Sequence, residues 1–176
     1  MKTDPGAVPI EGSSTTRFPA PLWAKLVATF FGVGFIHPGP GTWGSAATLL
    51  LWWLVTRLVA PHQQATAAIA LSASAIIVGI PAATAVARAS GLKDPQFVVI
   101  DEVAGQLIAF IAAPATWKSL LVAFILFRGF DMLKPPPVRQ LERLPEGYGI
   151  VIDDVGAGLY ALAMMHLLLH FGILPH

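Results

Sequence analysis

The sequence predicts an all-α, polytopic membrane bundle with about four to five transmembrane helices that follow an N-terminal interfacial or re-entrant helix. The first observation is composition: 55% of the residues are hydrophobic, 12% are charged and the mean hydropathy is +0.68. A typical soluble domain carries roughly 45–50% apolar and about 25% charged residues, so these charges cannot coat a water-exposed surface. The second and third observations are long apolar stretches and the crowding of charge on one predicted membrane side.

Five apolar stretches can be distinguished, namely 22–36, 45–60, 66–87, 97–130 and 154–174. The stretch 22–36 has only 15 residues, which favours a helix on the membrane surface or a re-entrant one. The stretch 66–87 has 22 residues, enough to cross, and Pro81 predicts a kink. One helix over 97–130 would rise about 51 Å, more than the ~30 Å hydrocarbon core, so 114–118 is predicted to turn between two antiparallel helices.

The sequence predicts a disordered N-terminal tail, 1–21, and a single integral-membrane domain, 22–176. No apolar run follows Lys2, so a signal peptide is not predicted. The absence of cysteine excludes disulfides, thiolate catalysis and cysteine-bound zinc. A net charge of +1 gives no indication of nucleic-acid binding, and the sequence leaves the oligomeric state open.

The positions of the charged residues predict the orientation in the membrane. If the N-terminus, 88–102 and 128–153 share one side, nine of the 11 Lys and Arg residues lie there. The positive-inside rule makes that side cytoplasmic. All ten Asp and Glu residues then fall on the same side, although they were not used in the assignment. This asymmetry predicts that the polar working part lies at one membrane face.

Five carboxylates lie at or just inside predicted helix ends: Asp101, Glu102, Asp131, Asp153 and Asp154. Charge in hydrocarbon is costly, so such groups usually face a polar cavity or a partner. They outnumber the nearby cations Arg128 and Lys134, so an inward-facing cluster would repel itself unless protonated or bound to metal. Carboxylate oxygens suit Mg²⁺ or a similar divalent ion.

Simpler roles are open for individual acids. Asp153 and Asp154 could cap the N-terminus of the last helix, where the helix dipole favours negative charge. Asp131 could form an ordinary intrahelical ion pair with Arg128, three residues earlier. The convergence of three separate acidic segments at one face favours a functional site over these separate roles.

Two further segments suit an anion. The segment 37–48, HPGPGTWGSAAT, leads into a helix with Thr42 and Ser45 as candidate N-caps, and a helix N-terminus presents N–H groups to anions. An ordinary turn before a helix is the alternative, and the spacing alone favours it. The segment is not a P-loop, because the G-K-S/T ending is absent. In 128–139, Arg128 and Lys134 flank Asp131 on roughly one helix face before three prolines end the helix. Cations beside a metal-binding acid fit a phosphate ester.

Four motifs carry a family resemblance: PGTWGS at 40–45, IDEVAGQ at 100–106, FRGFDMLKPPPVR at 127–139 and GYGIVIDDVGAG at 147–158. In order and spacing they resemble the phosphatidylglycerophosphatase A family, from about residue 22 to the C-terminus. Its members are Mg²⁺-dependent lipid phosphatases of the bacterial inner membrane. They convert phosphatidylglycerophosphate into phosphatidylglycerol and inorganic phosphate.

The resemblance implies a multi-pass enzyme of the bacterial inner membrane, with its site facing the cytoplasm and a phospholipid as its partner. The implied catalytic and Mg²⁺-binding residues are Asp101, Glu102, Asp131, Asp153 and Asp154. The implied phosphate-binding residues are Gly41, Thr42, Gly44, Ser45, Arg128 and Lys134. His37 stays outside both sets.

Two other functions use the same acidic cluster. A CDP-alcohol-type lipid phosphotransferase also has an acidic metal site at this face, but its D-G-x-x-A-R pattern is absent. A small cation carrier would usually place its acids near the membrane midplane or in repeats, and the chain shows no internal repeat.

Overall fold

The computed structural model describes residues 19–174, which contain helices and no strands. Seven α-helices are present in this range: α1 Leu22–Ala28, α2 Pro40–Leu58, α3 Pro61–Ser90, α4 Ile100–Phe110, α5 Trp117–Leu133, α6 Val138–Leu141 and α7 Glu146–His170. A short 3-10 helix, Val33–Phe35, precedes α2. The all-α prediction is confirmed, whereas residues 1–18 of the predicted tail lie outside the described residues.

Helix α4 forms the centre of the bundle. Ten of its eleven residues are buried, and it contacts α2, α3, α5 and α7. Small residues permit close approach to α7, since a Cβ at Gly158 would lie 2.5 Å from the carbonyl oxygen of Gly105. The Ser72 hydroxyl of α3 donates a 3.1 Å hydrogen bond to the carbonyl of Ala104. The start of α4, which carries two of the predicted site acids, is therefore held by neighbours on every side.

Helix α2 begins earlier than predicted. Pro40 is its first residue, and Gly39, with φ of 71°, is its N-cap. Proline suits the first helical position because its missing N–H would have no intrahelical partner there. Thr42 and Ser45 consequently lie inside the first two turns, and their prediction as N-caps is wrong.

The predicted helix pair within 97–130 is confirmed. Helix α4 ends at Phe110 and α5 begins at Trp117, with the Thr116 side chain accepting a 3.3 Å hydrogen bond from the Ser119 N–H. Helix α5 ends at Leu133, because Lys134 adopts a left-handed conformation with φ of 44° and three prolines follow.

Helix α7 also begins earlier than predicted. Its first residue is Glu146, directly after Pro145, which prevents the helix from extending backwards. Asp153 and Asp154 therefore lie two turns inside α7, and the alternative that they cap its N-terminus is wrong.

The helices differ in how far they can reach through a bilayer. Pro61–Ser90 and Glu146–His170 have the length and apolar character of membrane spans, with mean hydropathy of 2.0 and 1.4. Helix α1 has seven residues and ends where Phe30, Phe31 and Gly32 take positive φ, so the predicted 22–36 helix is broken there. Helix α4 rises about 16 Å, half of the ~30 Å hydrocarbon core.

Candidate active site

A polar cavity of about 390 Å³ opens at one end of the bundle, where α2, α4 and α7 begin and α5 ends. The residues around it include the five predicted acids and both predicted cations. They are Asp101, Glu102, Asp131, Asp153, Asp154, Arg128 and Lys134. Segments that are far apart in sequence thus meet at a single place, as predicted.

Three of the acids form a compact cluster within this cavity. Asp101, Glu102 and Asp154 each offer one carboxylate oxygen, and these oxygens all lie within 4.8 Å of one another. Asp101 Oδ1, Glu102 Oε2 and Asp154 Oδ2 are buried and have no hydrogen-bond partner among the described residues. Helix α4 supplies two of these side chains and α7 the third.

The cluster has the chemistry of a divalent-cation site. A buried oxygen without a partner loses its hydrogen bonds to water and gains none from the protein, and neighbouring carboxylates repel each other. A hard cation bound by three carboxylate oxygens would remove both costs. Mg²⁺ prefers oxygen ligands of this kind. The donor set that the chain presents therefore fits Mg²⁺.

The other two predicted acids are each paired with a cation. Arg128 Nη1 lies 2.6 Å from Asp131 Oδ2 and 3.6 Å from Glu102 Oε1, and these three side chains are 13–17% exposed. Lys134 Nζ lies 2.7 Å from Asp153 Oδ2. The Arg128–Asp131 ion pair considered from the sequence is therefore present, and it also lines the cavity.

Lys134 links three segments at the cavity edge. Its ammonium group contacts Asp153 of α7 and lies 3.4 Å from Glu142 Oε2, just after α6. Burial lowers the pKa of Lys134, but the hydrogen bond and charge of Asp153 more than offset this and leave the pKa above its ordinary value. Lys134 is thus a cation held at a fixed place beside the acid cluster.

The glycine-rich segment reaches the cavity only with its first part. Gly39, Pro40 and Gly41 line the cavity, and a Cβ at Gly41 would overlap Glu102 Oε1 and lie 3.3 Å from Arg128 Nη1. A methyl group at position 41 would therefore displace either the Glu102 carboxylate or the start of α2.

The remaining members of the predicted phosphate-binding set do not line this cavity. Gly44 packs on Val99, since a Cβ there would lie 2.9 Å from the Val99 Cβ. Thr42 is exposed, and Ser45 is buried with no partner for its hydroxyl among the described residues. The structure thus brings Gly41, Arg128 and Lys134 together, but not Thr42, Gly44 and Ser45.

Sequence reasoning missed three polar residues of the cavity wall, His37, Asp94 and Gln96. Asp94 lies at the cavity mouth, where partial desolvation raises the pKa of its carboxyl while nearby Lys134 lowers it. The connection between α3 and α4 has only nine residues and carries both Asp94 and Gln96. Because this connection is short and leads directly into the IDEVAGQ motif, the sequence could have indicated that Asp94 and Gln96 lie near the acids of that motif.

Comparison with known proteins shows which family the chain resembles. A family model described as phosphatidylglycerophosphatase A matches residues 26–169. The chain is 38% identical to phosphatidylglycerophosphatase A of Haemophilus influenzae, covering 80% of this chain and 85% of the relative. It is 34% identical to the protein of the same name in Escherichia coli, covering 82% and 83%.

A third relative carries a different name. A putative phosphatidylinositol-3-phosphatase of Bacteroides thetaiotaomicron is 34% identical over 80% of this chain and 89% of the relative. No solved structure matches the chain significantly. The extent of the family match and the two relatives that share its name show that the chain is a phosphatase of phospholipid metabolism and belongs to the phosphatidylglycerophosphatase A family.

Proposed function

We propose that the chain hydrolyses the terminal phosphomonoester of phosphatidylglycerophosphate in a Mg²⁺-dependent reaction that yields phosphatidylglycerol and inorganic phosphate. The observation that carries this proposal is the arrangement of charge in one cavity. Three carboxylates, each with one buried oxygen that has no hydrogen-bond partner among the described residues, lie beside the cations Arg128 and Lys134. A phosphate monoester bound with a divalent ion requires both kinds of group. The choice of phosphatidylglycerophosphate as the substrate comes from the names of the two relatives.

The acids divide into two roles under this proposal. Asp101, Glu102 and Asp154 would hold Mg²⁺, because their free oxygens lie close together. Bound there, Mg²⁺ would lower the pKa of a water molecule and offset charge on the phosphoryl group. Asp131 and Asp153 instead hold Arg128 and Lys134 in place through contacts of 2.6 and 2.7 Å.

The cations and the start of α2 would bind the phosphate. Arg128 presents planar N–H donors whose direction Asp131 fixes, and Lys134 adds a second positive charge. Gly41 brings the first turn of α2, with the positive end of the helix dipole, towards the same space. The chain has no cysteine, so a phosphocysteine intermediate is excluded and direct attack by water is the simplest route.

We further propose that residues 22–176 form one integral-membrane domain in the bacterial inner membrane, with the cavity at the cytoplasmic face. Helices α2, α3, α5 and α7 would cross the bilayer, and the short α4 would reach about halfway through it inside the bundle, shielded from lipid. The cavity lies at the end of the bundle with 88–102 and 128–139, segments that the sequence-based assignment puts on the basic, cytoplasmic side.

This topology is testable because the chain has no native cysteine. Leu92→Cys lies in the α3–α4 connection at the cavity end, and Trp117→Cys lies at the opposite end of the bundle. The two parent side chains are 54% and 68% exposed. In intact spheroplasts, we expect a membrane-impermeant maleimide to label Trp117→Cys but to label Leu92→Cys only after permeabilisation. The reverse pattern, or labelling of both from outside, would contradict the orientation.

The activity itself is tested with detergent-purified protein and phosphatidylglycerophosphate, with Mg²⁺ or with EDTA. We expect phosphate release with Mg²⁺, loss of release with EDTA, and recovery when Mg²⁺ is added back. Phosphatidic acid and phosphatidylinositol 3-phosphate are the comparison substrates, the second because of the Bacteroides relative. Equal release in EDTA, or none from phosphatidylglycerophosphate, would overturn the proposal. Metal-dependent ion flux into liposomes without hydrolysis would favour the carrier alternative.

A further inference from the structure

An apolar groove of about 300 Å³ lies between α6 and α7, outside the polar cavity. Its walls include Val138 and Leu141 of α6 and Gly156, Leu159, Tyr160 and Ala163 of α7. None of the groove residues carries a charge, and its one polar side-chain group is already bonded, since the Tyr160 hydroxyl donates a 2.7 Å hydrogen bond to the Pro136 carbonyl. The groove therefore presents hydrocarbon surface only.

The groove begins about one helical turn from the polar cavity, on the same face of α7. Asp153 lines the cavity, and Gly156, Tyr160 and Ala163 line the groove. These residues follow one another at i, i+3, i+7 and i+10, the spacing of a single helix face. From Asp153 to Ala163 the helix rises about 15 Å, half of the ~30 Å hydrocarbon core and thus the depth of one lipid leaflet.

The walls of the groove are fixed to the segment that carries Lys134. A Cβ at Gly156 would lie 3.0 Å from Leu141 Cδ1 and 3.1 Å from Val138 Cγ2, so α6 packs tightly on α7 there. The Tyr160 ring centroid lies 5.4 Å from that of Phe130 in α5. With its hydroxyl bonded to Pro136, two residues after Lys134, Tyr160 ties the groove wall to the edge of the cavity.

We propose that this groove binds one acyl chain of the diacyl phospholipid substrate. The inference rests on the proposed function, which places the lipid phosphate between Arg128 and Lys134. A lipid held there has its headgroup in the polar cavity, and the groove leads from that point into the leaflet over the length of one acyl chain. Bulk lipid would contact α7 anywhere, whereas this groove is an apolar recess that begins three residues from Asp153 of the charge site.

Ala163→Phe tests the proposal by filling the deep end of the groove. Ala163 is exposed and lies about 15 Å from Asp153, so the variant leaves the acid cluster untouched. On dioleoyl phosphatidylglycerophosphate we expect kcat/KM to fall about tenfold, equivalent to about 1.4 kcal/mol of lost binding. On the dibutyryl ester, whose chains cannot reach position 163, we expect wild-type kcat/KM. The matched control is Ala73→Phe on α3, an exposed alanine outside every groove described, which should alter neither substrate.

A second measurement does not depend on turnover. Phosphatidic acid with a diazirine near the end of one acyl chain should cross-link the wild-type protein within 138–163, and Ala163→Phe should lose this cross-link. Cross-links elsewhere, equal losses on both esters, or no loss on the dioleoyl ester would overturn the proposal. The proposal would also be overturned if Ala163→Phe changed the oligomeric mass and affected both esters equally, because a second copy of the chain would then cover the groove. If the wild-type protein cross-links within 138–163 but hydrolyses neither ester, the acyl-chain groove is supported and the proposed activity is refuted.

Discussion

Asp154→Asn should lower kcat on phosphatidylglycerophosphate by about a thousandfold or more, since a lost metal ligand removes several kcal/mol of charge stabilisation and each 1.36 kcal/mol is tenfold in rate. Asp154 is buried in α7, and its Oδ2 has no hydrogen-bond partner among the described residues. Asparagine has nearly the same shape, so the variant changes the charge of the cluster and little else. Phosphate release at saturating substrate and Mg²⁺ measures the effect.

Thermal unfolding separates loss of metal binding from loss of fold. In EDTA the carboxylates of Asp101, Glu102 and Asp154 lie close together with no metal ion between them, and Mg²⁺ binds only the native arrangement. Mg²⁺ at about a hundred times its Kd should therefore raise the wild-type Tm by about 5–10 °C. Asp154→Asn should abolish most of this rise. Its Tm in EDTA should equal or exceed the wild-type value, because one of the repelling charges is gone.

Glu146→Gln is the matched control for Asp154→Asn. Glu146 is an acid on the same helix, but it is exposed and paired with Arg88 at 2.7 Å, outside the cluster. Its loss should leave kcat and the Mg²⁺-dependent rise in Tm unchanged, as expected for an exposed ion pair. Retained activity in Asp154→Asn, or lost activity with the full Mg²⁺ effect on Tm, would remove Asp154 from the metal set.

The convergence of the acids could be predicted from sequence because hydrocarbon leaves charged side chains few positions. Asp101, Asp131 and Asp153 each follow an apolar run, and a charged group at such a place must reach a polar cavity or a partner. The end of α5 was equally predictable, since three consecutive prolines cannot continue a helix. Both conclusions depend on local rules that any fold of this chain must satisfy.

The different contacts that the individual acids make could not be predicted in the same way. Asp153 and Asp154 are adjacent in sequence, yet one binds Lys134 and the other points an unpartnered oxygen towards Asp101 and Glu102. A residue rotates by about 100° around the helix axis from the one before it, so neighbouring side chains meet different elements. Which element each one meets depends on how α7 packs against α4 and α5.

Sequence patterns also could not predict which distant segments contact each other. Gly41 and Glu102 are in contact across 61 residues of sequence, and no periodicity relates the two positions. The PGTWGS motif suggested an anion-binding turn, whereas the structure gives its first glycine a steric role as well. Because of this steric role, we expect one methyl group added at position 41 to have a large effect on activity.

Gly41→Ala should lower kcat about a hundredfold, the loss that a displacement of about 1 Å at a reacting centre can cause. The added Cβ would occupy the position of Glu102 Oε1, so either the carboxylate rotates out of the acid cluster or α2 shifts away from it. The backbone itself tolerates alanine, because Gly41 is not among the glycines with positive φ. Displacement of Glu102 should also reduce the Mg²⁺-dependent rise in Tm, which separates this effect from a simple block of substrate entry.

Gly129→Ala provides the matched control for Gly41→Ala. Gly129 lies beside Arg128 in α5, and a Cβ there would meet nothing within 4 Å. Alanine is favoured over glycine inside a helix by about 0.5–1 kcal/mol, so this variant should be slightly more stable and keep wild-type kcat. If Gly41→Ala also kept wild-type kcat, the close approach of α2 to Glu102 would have no part in the reaction. If instead it lost activity while the full Mg²⁺ effect on Tm remained, the added methyl group would act on the bound phosphate and not on the acid cluster.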